Sequence, residues 1–315
     1  MRGTENVEQK LELFRERIGK IFVGKQEVTE LVLCAFLAGG HILLEDVPGV
    51  GKTTLARAFA SLCSLSFGRI QFTPDTMPSD VTGLSVYNMK TGEFEMRKGA
   101  VMKNLILADE LNRTSPKTQA ALLEAMAESQ VTVDGTSYAL PDPFMVIATQ
   151  NPMGFTGTFP LPEAQMDRFM MRLSIGYPSQ AQELSIARMH LEKKTSAEPE
   201  AVFTREEILA LREQAGSVEF RDNVLSYAEA VVKATRVSPD FSLGASPRGL
   251  LHLTLAARAR AFLQGRAYVT PDDIKSLAIP VLSHRLIPSM EAKLKSRESA
   301  DILRSLVLTV KVPME

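Results

Sequence analysis

The segment from His41 to Leu62 constrains this chain more than any other. An apolar run, His41-Ile42-Leu43-Leu44, gives way to Asp46-Val47-Pro48-Gly49-Val50-Gly51-Lys52-Thr53, and a helical run over Thr53–Leu62 follows. Pro48 and Gly49 break the strand, and the glycines let main-chain N–H groups converge where a side chain would block them. A helix N-terminus placed after such a loop adds unpaired N–H groups and the positive end of its dipole, so the unit is suited to phosphate. A glycine-rich turn carrying a solvated lysine is the plain alternative, and the flanking strand and helix weigh against it. Lys52 is expected to reach β- and γ-phosphates and the Thr53 hydroxyl to bind Mg²⁺. Gly49, Val50, Gly51 and Thr54 complete the expected cradle for ATP. One departure stands out: Asp46 occupies the first position of the pattern, where glycine is usual.

Three more short apolar runs read as buried parallel strands: Ile70–Phe72, Asn104–Ala108 and Phe144–Thr149. Between them Ser115–Ser129 reads as a helix with Ala120, Leu123, Met126 and Ala127 on one side. The fold class expected is α/β with a parallel sheet. The second of these strands ends in Asp109-Glu110, two acids at the sheet edge where open α/β sheets bind ligands. Downstream of a phosphate loop, Asp109 is expected to hold Mg²⁺ through water. Glu110 is expected to orient and deprotonate an attacking water. The third strand ends in Gln150-Asn151-Pro152, and by local pattern alone Asn151 reads as an Asn-Pro turn.

Two hairpins are expected to project from this core. Val86–Met96 turns at Lys90-Thr91-Gly92, and Val131–Leu140 turns at Asp134-Gly135, the stronger signal. Residues 5–20 and 25–38 read as helices before the first strand. Beyond Tyr177-Pro178 the pattern changes to helices over 181–192, 204–215, 221–235, 247–263, 271–285 and 296–307. Thr270-Pro271-Asp272-Asp273 marks one start, with threonine as N-cap and proline in the first turn. The domains expected are therefore 1–178 and an all-helical 179–315, in line with a length of 315 residues.

Charge narrows the partners. Residues 1–178 carry 17 Lys+Arg against 20 Asp+Glu, and 179–315 carry 19 against 17, so neither half has the footprint of a nucleic-acid binder. Cys34 and Cys63 suit buried thiols better than a disulfide framework or a zinc site. The longest apolar run, Leu31–Gly40, is too short to span a bilayer. No membrane insertion and a cytoplasmic location are expected.

Taken together, the stretches LLEDVPGVGKTTLARAFA, DELNRTSPKTQAALLEAMAE, ATQNPMGFTGTFPLPEAQMDRF and GASPRGL resemble the AAA+ ATPases, and within them the MoxR family of the helix-2-insert group. The resemblance covers roughly residues 5–300, and the family often lacks the first loop glycine. It implies a P-loop AAA+ core, a helical lid and hydrolysis of ATP. Asn151 corresponds to sensor 1, Arg168 to the arginine finger that enters a neighbouring subunit, and Arg248 to sensor 2. Val23 and Gly24 match the stretch lining the adenine pocket. The plain alternatives are a cap or a pair with Asp167 for Arg168 and a surface charge for Arg248, and Arg113 and Arg172 are weaker candidates for the contact in trans. The hairpins match the helix-2 and pre-sensor-1 inserts, which face the pore in related rings. The resemblance further implies a homo-hexamer that remodels a protein client or matures its metal or cofactor site, in concert with a von Willebrand factor A domain protein. A nucleic-acid motor is the rival, since minichromosome-maintenance helicases share the group, and a magnesium-chelatase-like subunit is a close cousin. The first hairpin sets Lys90, Arg97 and Lys98 against Glu93 and Glu95, and the second offers only Asp134, a poor grip on DNA.

Overall fold

The computed structural model describes residues 2–151, 158–191 and 199–313, with side chains from residue 7 onward. The turn expected at Asn151-Pro152 and the end of the helix expected over 181–192 run out of this range. From the N-terminus come helices α1 (Arg2–Ile21) and α2 (Gln26–Leu37), strand β1 (Ile42–Glu45), helix α3 (Lys52–Leu62), strand β2 (Phe67–Gln71) and the short helix α4 (Pro78–Thr82). Strands β3 (Gly83–Asn88) and β4 (Glu93–Lys98) precede β5 (Leu105–Asp109), helix α5 (Pro116–Glu128), and strands β6 (Gln130–Val133), β7 (Thr136–Ala139) and β8 (Met145–Gln150). Next are helix α6 (Glu163–Met166), strand β9 (Met171–Leu173) and helices α7 (Gln180–Leu191), α8 (Arg205–Gly216) and α9 (Asp222–Val237). Strand β10 (Phe241–Leu243), helices α10 (Pro247–Leu263) and α11 (Pro271–Leu282), strand β11 (Ile287–Pro288), and helices α12 (Met290–Leu294) and α13 (Ser299–Thr309) complete the chain.

One sheet carries five strands in the order β2-β5-β8-β1-β9. The pairs β2–β5 and β5–β8 run parallel, in register from Phe67↔Leu105 and from Leu105↔Met145. Leu43, Leu44, Leu105, Ile106, Leu107, Val146 and Ile147 have no exposed surface, as strands covered on both faces require. Strand β9 was not expected from the sequence: it is three residues long with Arg172 at its centre, too short and too interrupted to show a period.

The chain forms two compact units that interleave along the sequence. One gathers the chain up to Glu30 with Leu43–Leu161 and Ser174–Ile208; the other gathers Leu31–Ile42, Pro162–Leu173 and the chain from Leu209. In the first, α3 packs against α1, and Phe14 meets Phe59 edge-on with ring centroids 5.5 Å apart. Helix α5 starts at N-cap Ser115 with Pro116 in the first turn. Its buried face is Thr118, Gln119, Leu122, Leu123, Ala125 and Met126, so Ala120 and Ala127 face outward, contrary to the sequence expectation. The reason is polar: Thr118 donates to the Thr76 carbonyl at 2.8 Å and the Gln119 amide to the Phe159 carbonyl at 3.0 Å, which turns that face inward.

Both hairpins form. β6 and β7 pair Val133 with Thr136 across Asp134 and Gly135, whose φ of 49° and 79° are the positive values a type I′ turn needs. β3 and β4 pair from Gly83↔Lys98 to Asn88↔Glu93. In the second unit, α10 packs against α11 and α13 against α9. Ser246 caps α10, and Thr270 with Asp273 forms a capping box on α11. This helical unit also holds the antiparallel pair β10–β11, which the sequence reading did not include. Cys63 is buried, which pushes its thiol pKa up, and Cys34 is buried with its thiol 3.2 Å from the Ala256 carbonyl oxygen.

Candidate active site

The C-terminal ends of β5, β8 and β1, three neighbours in the sheet, deliver the candidate residues to one place in the first unit. After β1 the chain turns through Gly49 (φ 87°) and Gly51 (φ 92°), a conformation that side chains other than glycine rarely take. Gly51 is the N-cap of α3 and supplies no side-chain cap, so the first N–H groups of that helix point out of its end unclaimed by any side chain. A Cβ on Gly51 would come within 3.1 Å of the Phe22 ring, whereas one on Gly49 would meet nothing within 4 Å. Phe22 thus sets the close packing of the loop.

A cleft of about 380 Å³ opens here, lined by Asp46, Pro48, Gly49, Gly51, Lys52, Thr53, Thr54, Arg69, Gln71, Asp109, Glu110, Thr149 and Asn151. Of the residues singled out from the sequence, Gly49, Gly51, Lys52, Thr53, Thr54, Asp109, Glu110 and Asn151 line this one cleft. Val50, Val23 and Gly24 are not among the lining residues. Gln182 covers Gly24, its amide donating to the Gly24 carbonyl at 3.2 Å. Lys52 donates to the Asp46 carbonyl at 2.8 Å. Burial lowers the Lys52 pKa, an effect opposed by Asp46, Asp109 and Glu110 around it.

Asp46 explains the missing first glycine. It is buried, and its carboxylate accepts from the Ser174 hydroxyl (2.9 Å), the Ile175 N–H (2.6 Å) and the Gly176 N–H (2.9 Å). The side chain ties the root of the loop to the segment after β9, a task glycine cannot perform.

The two acids are held in different ways. Asp109 accepts from Arg69 at 2.6 Å on one oxygen and from the Thr149 hydroxyl at 2.7 Å on the other. Glu110 has left the strand with φ 56° and ψ 47°, a left-handed conformation in a residue with a full side chain. Its carboxylate accepts from Arg113 and from the Gln71 amide, each at 2.9 Å. A smaller recess of about 190 Å³, lined by Pro48, Glu110, Asn112, Arg113, Asn151 and Thr158, adjoins this acid. The donor set fits a nucleoside triphosphate with a hard divalent cation: clustered N–H groups and an ammonium for phosphate, and a threonine hydroxyl and a carboxylate for the metal.

Sequence reading missed Arg69, Gln71 and Thr149. Arg69 and Gln71 sit two apart at the end of β2, on either side of buried Ile70, and polar residues alternating with an apolar one at the ligand edge of a strand are a signal that was there to be used. Thr149 gives no signal, since a β-branched residue is ordinary in a strand.

Arg168 and Arg248 belong to the second unit. There Asp167 is the hub: it pairs with Arg285, accepts from Ser246 at 2.9 and 3.0 Å, and lies 3.8 Å from Arg248. Arg285, itself buried, donates to the Asp167 carbonyl at 2.7 Å and the Phe169 carbonyl at 2.5 Å. Arg248 thus lies in the first turn of α10, just after the Ser246 cap, and faces the Asp167 carboxylate. Arg285 contacts His252 Nδ1 at 2.7 Å; burial, Arg285, Arg248 and His41 lower the His252 pKa to about 3.

The profile of the ATPase family associated with various cellular activities (AAA) matches residues 41–171, and that of the AAA lid domain matches 233–306. The chain is 38% identical over 306 residues to Chaperone MoxR1 of Mycobacterium tuberculosis, covering 94% of this chain and 80% of that protein. It is 32% identical to Protein MoxR of Methylorubrum extorquens, covering 95% and 94%. It is also 49% identical to the protein YeaC of Bacillus subtilis, again covering 95% and 94%. A solved structure from Cytophaga hutchinsonii superposes with a TM-score of 0.90 at 37% identity, each chain covered completely.

Proposed function

The chain belongs to the MoxR family of AAA+ ATPases, and from that membership we propose that it couples Mg²⁺-dependent hydrolysis of ATP to the remodelling or maturation of a protein client. The observation that carries the ATPase half is the convergence of the loop amides, Lys52, Asp109, Glu110 and Asn151 on one cleft. In this reading the main chain of Gly49–Gly51 and the Lys52 ammonium bind the phosphates. Thr53 and Asp109 hold the cation, which lends positive charge to the phosphate oxygens. Glu110 takes the proton of the attacking water, and the Asn151 amide orients that water or the terminal phosphate. Arg248 serves as sensor 2 and Arg168 as the finger contributed to a neighbouring subunit. Val50 and Thr54 belong to the loop, and Val23 and Gly24 to the adenine contact. We divide the chain in sequence into an AAA+ core over 1–178 and a lid over 179–315, although Ser174–Ile208 cluster with the first compact unit and Leu31–Ile42 and Pro162–Leu173 with the second.

The hairpin β3–β4 supports a protein client over nucleic acid. Leu84, Val86, Tyr87, Met89 and Phe94 are all exposed on it, and Tyr87 and Phe94 stack edge-on at 5.3 Å. Such a surface suits apolar side chains of an unfolded or partly folded protein better than a phosphate backbone. Among the described residues no helix is long and apolar enough to cross a membrane, and we place the protein in the cytoplasm, as a homo-hexamer working with a von Willebrand factor A domain partner.

A finger given in trans is worth roughly 10³–10⁵ in turnover, so activity per subunit should rise steeply with concentration as rings assemble. Phosphate release is measured against protein concentration alongside sedimentation, for the wild type, Glu110→Gln and Arg168→Ala. Loss of turnover with ATP still bound is expected of Glu110→Gln. Arg168→Ala is expected to assemble and fail to hydrolyse; normal activity in its assembled form would remove the finger assignment. Proteins captured by Glu110→Gln on ATP identify the client. Stimulation by single-stranded DNA with a steep salt dependence would overturn the client reading.

A further inference from the structure

Thr149 stands where β8 ends, beside the point where β5 releases Glu110. The strands are in register up to Ala108↔Ala148, so the next residues, Asp109 and Thr149, are neighbours at the ligand edge. Beyond them the ladder stops, and the Glu110 N–H has no strand partner to donate to. Thr149 supplies one: its hydroxyl oxygen accepts from the Glu110 N–H at 2.8 Å. The same hydroxyl donates its proton to Asp109 Oδ1 at 2.7 Å. A hydroxyl has one proton to give and lone pairs to spare, so both bonds form at once. Thr149 is 1% exposed, so its side chain is held in place by packing as well as by these two bonds.

These bonds meet at the strained residue of the site. Glu110 sits at φ 56° and ψ 47°, which a residue with a Cβ holds only when its surroundings impose it. The constraint comes from two sides: the Glu110 N–H is fixed by Thr149, and its carbonyl accepts from the Arg113 N–H at 2.9 Å as the 3₁₀ turn Leu111–Arg113 begins. From this arrangement we infer that Thr149 is a positioning residue for hydrolysis, one hydroxyl setting both the rotamer of the metal-holding acid Asp109 and the backbone twist that aims Glu110. The inference rests on the reading of Glu110 as the base.

Thr149→Val keeps shape and branching and deletes the hydroxyl, removing the acceptor of the Glu110 N–H and the donor to Asp109 Oδ1. Turnover of the full-length protein at saturating ATP and Mg²⁺ should fall about ten- to a hundredfold, while KM and calorimetric ATP affinity stay within about threefold. Thr149→Ser, which keeps the hydroxyl, should stay within about threefold of the wild type in kcat. Should the valine variant fold poorly, Thr149→Ser and Thr149→Ala still decide, with serine expected about tenfold faster than alanine in kcat. Equal kcat for the variants with and without the hydroxyl overturns the inference, as does a loss confined to KM. Glu110→Gln is assayed in parallel: if it hydrolyses ATP normally, the base reading fails; if it is inactive and Thr149→Val is fully active, only the role of Thr149 fails.

Discussion

Asp46 offers a test in which the structure and the general phosphate-loop pattern disagree. The pattern puts glycine at this position, so Asp46→Gly restores the consensus; the structure says it removes a buried cap. Three donors lose their acceptor: the Ser174 hydroxyl and the N–H groups of Ile175 and Gly176. Ile175 is 4% exposed and its N–H has no route to water. Leaving that group unpaired costs about 1–3 kcal/mol, and losing the other two bonds about 0.5–1.5 kcal/mol each, so the variant should lose about 2–6 kcal/mol. In a domain of this size that corresponds to about 2–4 °C in Tm for each kcal/mol. Glycine adds a further loss, since it frees the backbone of the unfolded chain at a point where the folded loop needs none of that freedom. Asp46→Ala should therefore melt below the wild type and Asp46→Gly lower still. Asp46→Asn, which keeps one acceptor oxygen but turns an NH₂ toward a donor, should fall between alanine and wild type. Calorimetric melting of the four proteins without nucleotide reads this order. An Asp46→Gly variant that melts with or above the wild type would refute the cap argument, because nothing in the geometry lets glycine take over its three bonds.

Gly51→Ala should weaken ATP binding and stability more than Gly49→Ala: both force a side chain into positive φ, at about 1–3 kcal/mol of strain, but only at Gly51 does the new Cβ press on Phe22. Calorimetric titration of ATP against the two variants distinguishes them, and equal losses would remove Phe22 from the account. Acid should destabilise the second unit through half-buried His252 and buried His284. His252 is held neutral in the folded state, its pKa pushed down to about 3, while an unfolded histidine takes a proton near pH 6.5. Its contribution is therefore complete above about pH 6.5 and lost as the pH falls from there toward 3. His284, also buried, shifts in the same direction. His252→Gln should show a shallower fall of Tm between pH 7 and 4 than the wild type; an unchanged slope would mean that His252 does not carry it.

What the sequence discloses and what it hides follow from the range of the interactions involved. The loop 46–53, the turn Asp134-Gly135 and the start of α11 are legible because each depends on neighbours in the chain: a glycine at positive φ, a proline in a first turn, a cap three residues from its partner. The face of α5 was misread because Thr118 and Gln119 bond to Thr76 and Phe159, about 40 residues away, and no periodicity records that. The same holds more sharply at the catalytic edge. That Asp109 and Glu110 are candidates is visible in an apolar run that ends in two acids. That Glu110 turns left-handed is not, because glutamate has no preference for that conformation; the bend depends on a hydroxyl contributed by a different strand. Sheet order explains why this division recurs. β5 lies between β2 and β8, so the residues that tune its acids, Arg69 and Gln71 on one side and Thr149 on the other, come from segments about 40 positions away in either direction. Chemistry at the end of a parallel strand is named by that strand and adjusted by its neighbours. Substitutions at 69, 71 and 149 should therefore alter the rate of hydrolysis more readily than the affinity for ATP, whose phosphate contacts are expected from the contiguous loop.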